Sequence, residues 1–269
     1  MDFIQSIREN PCDVDLYLVY ADYLQQQNDP RGQLILLDHM AQQDDQYIQQ
    51  RTNFFQAHKQ NFVGNLEFGA AEYYIQWFMG FIQSVELSHL SIDECYRILR
   101  KLVRLPSFQF VQTVEICGKK SILKACTIKH LHHLVISLTT IKNLPAEMKQ
   151  LTHLTHLKTS VCTHLVNISP IANLTNLTSL DLRLSDVKDI SALVNLTKLQ
   201  KLNLECTKVD DISVLAHLTS LVELNLECTN ITDLSPLAEL THLMKLNLSR
   251  VNFRDISCLN HLTHLEITK

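Results

Sequence analysis

Apolar residues in the C-terminal half of this chain recur in register with a period of about 22 residues. Three copies stand back to back: NLTNLTSLDLRLSDVKDISALV from Asn173, NLTKLQKLNLECTKVDDISVLA from Asn195 and HLTSLVELNLECTNITDLSPLA from His217. A fourth, ELTHLMKLNLSRVNFRDISCLN, starts at Glu239. In the copy from Asn195, Leu199, Leu202 and Leu204 are spaced L-x-x-L-x-L. Alternation along Leu202-Asn203-Leu204 turns both leucines to one side of a short strand and Asn203 to the other. The second half of each copy reads Asp189-Ile190, Asp211-Ile212, Asp233-Leu234 or Asp255-Ile256 followed by Ser. Asp and Ser favour turns and short helical starts, so the return leg is predicted to be 3-10 or irregular. No single unit of this kind buries its apolar side alone, and the pattern therefore predicts a stacked array.

The array begins before the regular copies. Leu131, Leu134 and Ile136 align with Leu199, Leu202 and Leu204, and Leu154, Leu157 and Thr159 do so with some decay. Val111, Val114 and Ile116 give an earlier strand, and Val85-Glu86-Leu87 followed by SIDECYRILRKLV predicts a strand and a true helix. This spacing resembles the leucine-rich repeat, and the D-I-S return leg resembles the short internalin-type repeats. The resemblance covers roughly residues 105–269 and implies an α/β solenoid with short parallel strands on its concave side. It also implies a role in protein binding. At the place where that family carries a buried Asn or Cys bonded to neighbouring loop backbone, this chain has Ser185, Thr207, Thr229 and Val251. Val251 has no polar group, so a weaker polar ladder is expected there.

Residues 1–62 lack this period. Phe3, Ile4 and Ile7 predict a short helix ending near Asn10-Pro11, and Asp13 caps a second helix with Leu16, Val19, Tyr20 and Tyr23 on one face. Asn28-Asp29-Pro30 is a break before a third helix carrying Leu34, Leu36, Leu37 and Met40. A fourth helix is expected from about Asp45 to Gln60. Asn10, Pro11, Asp13, Leu18, Val19, Tyr20, Ala21, Asp22, Leu24, Asp29, Pro30, Arg31 and Ile35 match the pattern of the bacterial repeat-companion domain, which this segment resembles. Tyr17, Tyr23, Asn28 and Gln33 depart from it. The resemblance implies a bacterial origin and a helical domain beside a repeat array, and no catalysis. A solenoid needs a cap on its first unit, so a helical cap over 1–62, a transition with a first long strand-helix unit over 63–104, and repeats over 105–269 are expected.

Net charge is −4, with 24 Lys+Arg against 28 Asp+Glu, and no basic stripe with interleaved aromatics is present. Nucleic acid is therefore not expected as a partner. No apolar run approaches a membrane span. The N-terminus lacks a basic region followed by an apolar one, and the eight cysteines stand singly. Both features predict reduced thiols in the cytoplasm, although signal-independent export would leave no mark in such a sequence. No phosphate loop, dinucleotide glycine motif or zinc-finger pair occurs, so no cofactor and no enzymatic activity are expected.

Outward strand positions form three columns. The first is His133, His156, Ser179, Lys201, Glu223, Lys245 and His264. The second is Val135, Lys158, Asp181, Asn203, Asn225, Asn247 and Glu266. The third is Ser137, Ser160, Arg183, Glu205, Glu227, Ser249 and Thr268. The middle of this face is polar and carries both signs of charge. Asp181, Arg183, Lys201, Asn203, Glu205, Glu223, Asn225, Glu227, Lys245 and Asn247 are the candidate contacts to a protein partner. The alternative places a regulator, inhibitor or secreted effector here, with the N-terminal helices taking a second partner. His130, His132, His133, His153 and His156 cluster, but no third ligand class stands at metal spacing beside them. Cys206 and Cys228 fall at equivalent places and read as free thiols. The Asn-Leu-Thr triplets at Asn173, Asn176 and Asn195 read as structural, and Trp77, Phe78 and Phe81 as core. The closing HLTHLEITK stops at its strand, which predicts self-association, a docked partner at an apolar end, or a fraying last unit.

Overall fold

The computed structural model describes residues 2–64, 66, 74–137 and 139–269. Part of the expected transition, 65 and 67–73, lies outside the described residues. Two compact units are present. One comprises Met1–Leu87 with Tyr96–Val114, the other Ser88–Cys95 with Glu115–Lys269. The divisions differ from the expected boundaries at 62 and 104. They fall inside helix α6 (Ile92–Leu102) and strand β3 (Thr113–Cys117).

In the first unit, α1 (Phe3–Glu9), α2 (Val14–Gln26) and α3 (Pro30–Gln43) follow the sequence signals closely. The Asp13 carboxylate accepts the N–H groups of Asp15 and Leu16. Asn28 takes a φ of 56°, and Asp29 caps α3 with Pro30 in its first position. The buried face of α2 differs from the expected one. Tyr17, Tyr20, Ala21 and Leu24 are buried, whereas Val19 and Tyr23 are 52% and 45% exposed. The aromatic cluster decides this rotation, because Tyr17 and Tyr20 both meet Phe81 and Phe110, whose own rings lie 4.6 Å apart. The expected fourth helix divides into a 3-10 turn at Asp45–Tyr47, α4 (Ile48–Ala57) and α5 (Lys59–Val63). Strands β1 (Ile75–Phe78) and β2 (Phe81–Glu86) form an antiparallel hairpin whose turn residues Met79 and Gly80 both have positive φ. That is the two-residue turn whose twist matches its strands. The buried Asp38 of α3 accepts the Gly80 N–H and the Arg51 Nε–H, each at 2.6 Å, and so ties the turn to α3 and α4. Phe81 is fully buried; Trp77 and Phe78 are only half-buried.

In the second unit, the strands lie in chain order from β3 through β4 (His133–Ser137), β5 (His156–Ser160), β6 (Ser179–Asp181), β7 (Lys201–Asn203), β8 (Glu223–Asn225), β9 (Lys245–Asn247) and β10 (Glu266–Thr268). From β4 onward they are parallel and in register. A helix, α7 (Lys119–Ala125), follows β3, and the later return legs are 3-10 turns such as Ser213–His217. Each turn is set by its aspartate: Asp189, Asp211, Asp233 and Asp255 accept the N–H of the Ser two residues on, at 2.8–2.9 Å. Hydrogen bonds from the backbone and hydroxyl of that Ser, the hydroxyl foremost at Asp255, hold the four carboxyls below their ordinary range. The solenoid core is a stack of leucines, with Leu199, Leu204, Leu221, Leu226 and Leu243 wholly buried. Each contributes about 1.5–3 kcal/mol of burial.

Two features of the repeat differ from expectation. The Ser185, Thr207 and Thr229 hydroxyls bond the carbonyls of Leu182, Leu204 and Leu226 three residues back, within their own repeat. Val251 lacks the hydroxyl, yet its N–H still bonds the Leu248 carbonyl at 3.0 Å, so the turn persists. Cys162, at the same place in an earlier copy, does reach across to the Ile136 carbonyl. The last strand is also displaced. Glu266 pairs with Lys245 and Thr268 with Asn247, so Glu266 joins the first column and Thr268 the second. The chain has only Glu266 between Leu265 and Ile267 where earlier copies have two residues, and Ile267 is drawn into the leucine column. Leu265 and Ile267 are half-buried.

One residue per turn adopts left-handed backbone without being glycine: Val161, Leu184, Cys206, Cys228 and Arg250, with φ between 53° and 60°. A β-branched residue is the least suited to it. Val161 is 47% exposed, so its side chain contributes little packing there. Val161→Asn is expected to raise the melting temperature, by roughly 1 kcal/mol of relieved backbone strain. A thermal scan showing no rise would place the strain elsewhere.

Candidate binding face

Parallel in-register strands set side chains of equivalent residues about 4.8 Å apart. The first column of the concave face therefore reads Ser179, Lys201, Glu223, Lys245 and Glu266 across β6 to β10. Its charges alternate. Lys201 Nζ lies 3.1 Å from Glu223 Oε1, with side chains 57% and 38% exposed. An exposed pair of this kind contributes under about 1 kcal/mol to stability. Lys245 faces solvent between Glu223 and Glu266. A shallow depression of about 440 Å³ runs over these strands.

The second column is committed internally. Asp181 Oδ1 accepts the Arg183 N–H, Asn203 Oδ1 the Glu205 N–H, Asn225 Oδ1 the Glu227 N–H and Asn247 Oδ1 the Ser249 N–H, at 2.9–3.1 Å. The amide Nδ2 groups then reach back one repeat: Asn225 donates to Glu205 and Asn247 to Glu227, at 3.2 and 3.1 Å. Asn203, Asn225 and Asn247 thus each close their own turn, and the last two also tie it to the turn before. The repeated Asn-x-Glu spacing is the sequence signal for this ladder, because Asn and Asp side chains bond backbone two residues on.

All ten candidate residues therefore lie on one face, in two roles. Lys201, Glu223 and Lys245 present their charges outward. Asp181, Asn203, Asn225 and Asn247 support the strand ends. Arg183 folds onto Asp181 at 3.5 Å, and Glu205 and Glu227 divide their carboxylates between the ladder and solvent.

At the other end of the face, His133 and His156 pair across β4 and β5 with ring centroids 4.2 Å apart. Burial, then His156 and His132, push His133 down to about 4. Burial and Lys201 lower His156, and burial and His153 lower His132. These imidazoles are neutral near pH 7. Among the described residues, no group of three or more His, Cys, Asp or Glu is placed to hold a metal. Asn176 of the Asn-Leu-Thr triplets donates to the Thr152 carbonyl and accepts from Lys198, a structural bridge between repeats. No helix among the described residues is long and apolar enough to cross a membrane. In the N-terminal unit, Arg51, Phe55, Lys59 and Trp77 line a pocket of about 210 Å³.

The family model for Leucine Rich repeats (2 copies) matches residues 175–217. The chain carries leucine-rich repeats, and its fold is a leucine-rich-repeat solenoid with helices N-terminal to it. Internalin C2 of Listeria monocytogenes has a similar structure, with a TM-score of 0.57 and 24% identity over 70% of this chain and 80% of that one. The internalin inlF of the same bacterium aligns with a TM-score of 0.47 and 23% identity over 69% and 60%. A leucine-rich-repeat protein of Leptospira interrogans gives 0.47 and 16% over 68% and 58%. No curated protein matches the chain in sequence.

Proposed function

We propose that this protein is a non-enzymatic scaffold that binds another protein on the concave face of its repeats. Leucine-rich-repeat proteins generally act by protein–protein interaction. The observation that carries the reading to this face is the alternating column of Lys201, Glu223, Lys245 and Glu266, held in strict register and left outward while the neighbouring asparagines are used internally. Such a column selects a partner by charge order and adds to its rate of encounter. Arg183, Glu205 and Glu227 flank it and extend the contact. Asp181, Asn203, Asn225 and Asn247 serve the face by fixing its shape.

The test is a charge reversal of the outward column, Lys201→Glu with Lys245→Glu, in the full chain. These side chains carry little stability, so the melting temperature should move by less than about 2 °C. Proteins captured by the wild type should be depleted at least tenfold with the variant, and capture by the wild type should weaken as salt rises. A partner retained equally by a folded variant would move the binding surface off this column.

A further inference from the structure

We infer that Cys206 and Cys228 form a dithiol site that disulfide oxidants close into a bond between successive repeats. Both residues occupy the left-handed corner of their turns, with φ of 53° and 55°, so their side chains leave the backbone in the same way. The ladder locks them side by side: the Cys206 N–H bonds the Glu227 carbonyl at 2.8 Å and the Cys228 N–H bonds the Ser249 carbonyl at 3.0 Å. Neighbours in such register have backbones about 5 Å apart, inside the span a disulfide bridges. Both thiols are partly exposed, unlike the buried pair Cys95 and Cys117.

The surroundings make the two sulfurs unequal. Arg250 occupies the same corner one repeat further on, and its guanidinium lies 3.8 Å from Cys228 Sγ. Burial, the Cys228 sulfur and the carboxylates of Glu205 and Glu227 hold the Cys206 thiol above its ordinary range. Cys228, with the Arg250 guanidinium beside it, is therefore the attacking sulfur and Cys206 the resolving one. With glutathione disulfide as oxidant, Cys228 gives up its proton and its sulfur displaces one glutathione, breaking the oxidant's S–S bond. Cys206 then displaces the second glutathione from the mixed disulfide. The protein loses two hydrogens and the oxidant leaves as two thiols.

The experiment treats the full chain with glutathione disulfide, then quenches by alkylation and maps peptides without reduction. A Cys206–Cys228 linked peptide is expected, with Cys95 and Cys117 alkylated only after unfolding. Cys206→Ser should trap glutathione on Cys228. Cys228→Ser should trap it on Cys206 several-fold more slowly, and Arg250→Gln should remove most of that difference. Stable glutathione adducts on both wild-type cysteines with no linked peptide, or reaction at the exposed Cys12 with the pair untouched, would overturn the site. Equal rates in the two single variants would overturn the assignment of Cys228 as the attacking sulfur.

Discussion

Replacing Asn203, Asn225 and Asn247 together by alanine should destabilise the repeats by roughly 3–5 kcal/mol, the largest loss expected from any polar change on the concave face. Each substitution removes the acceptor for a partly buried backbone N–H at the corner of a turn. Two of them also remove the donor that holds a neighbouring glutamate. An unpaired N–H costs about 1–3 kcal/mol when buried, and the lower half of that range applies at a half-exposed corner. In a stacked array each loss also weakens the interface with the next unit. The melting temperature should fall by roughly 6–15 °C. Asn225→Asp separates the two roles, since it keeps the acceptor, as Asp181 does in its own repeat, but sets a carboxylate beside Glu205. It should lie between wild type and Asn225→Ala. A triple variant that melts with the wild type would show that these amides are solvated and free for a partner.

The second large effect lies at Gly32, the third residue of α3. A Cβ built there meets the Ala21 carbonyl oxygen at 2.6 Å and the Gln25 nitrogen at 2.9 Å, both backbone atoms of α2. Backbone of a packed helix cannot step aside as a side chain can. The better helix propensity of alanine, worth about 1 kcal/mol, opposes the clash but does not match it. Gly32→Ala should cost roughly 2 kcal/mol net and Gly32→Val roughly 3–5 kcal/mol, by forcing the two helices apart. Trp77 is the chain's single tryptophan and stands in the same unit, edge-on to Phe55 at 5.1 Å. Its fluorescence therefore reports this unit, while circular dichroism reports the whole chain. Fluorescence should show an earlier transition in both variants. A higher melting temperature in Gly32→Ala would mean that α2 and α3 are not held this close in solution.

The repeat, its strands and its 3-10 return legs were legible in the sequence because each rests on local chemistry repeated many times. Leu202 and Leu204 face inward by alternation alone, and Asp211 closes its turn on a residue two positions away. The same local logic gave the cap at Asp13 and the break at Asn28-Asp29-Pro30. The sequence also named the residues that face outward on the strands, because period two assigns a side to every position. It did not separate outward residues that are free from those that are bound. Lys201 and Asn203 look alike as polar strand positions; the Asn-x-Glu spacing signals the local bond of the asparagines, and only stacking against the turn before shows that the amides of Asn225 and Asn247 are occupied as well. The rotation of α2 toward Tyr17 and the shifted register of the last strand likewise depended on distant neighbours. Phe81 and Phe110 choose the face of α2, and the leucine column chooses Ile267. Periodicity and capping are properties of residues a few positions apart, so the chain alone determines them. Which polar groups remain available, and which apolar face wins a packing contest, depend on groups that only the tertiary structure brings into contact.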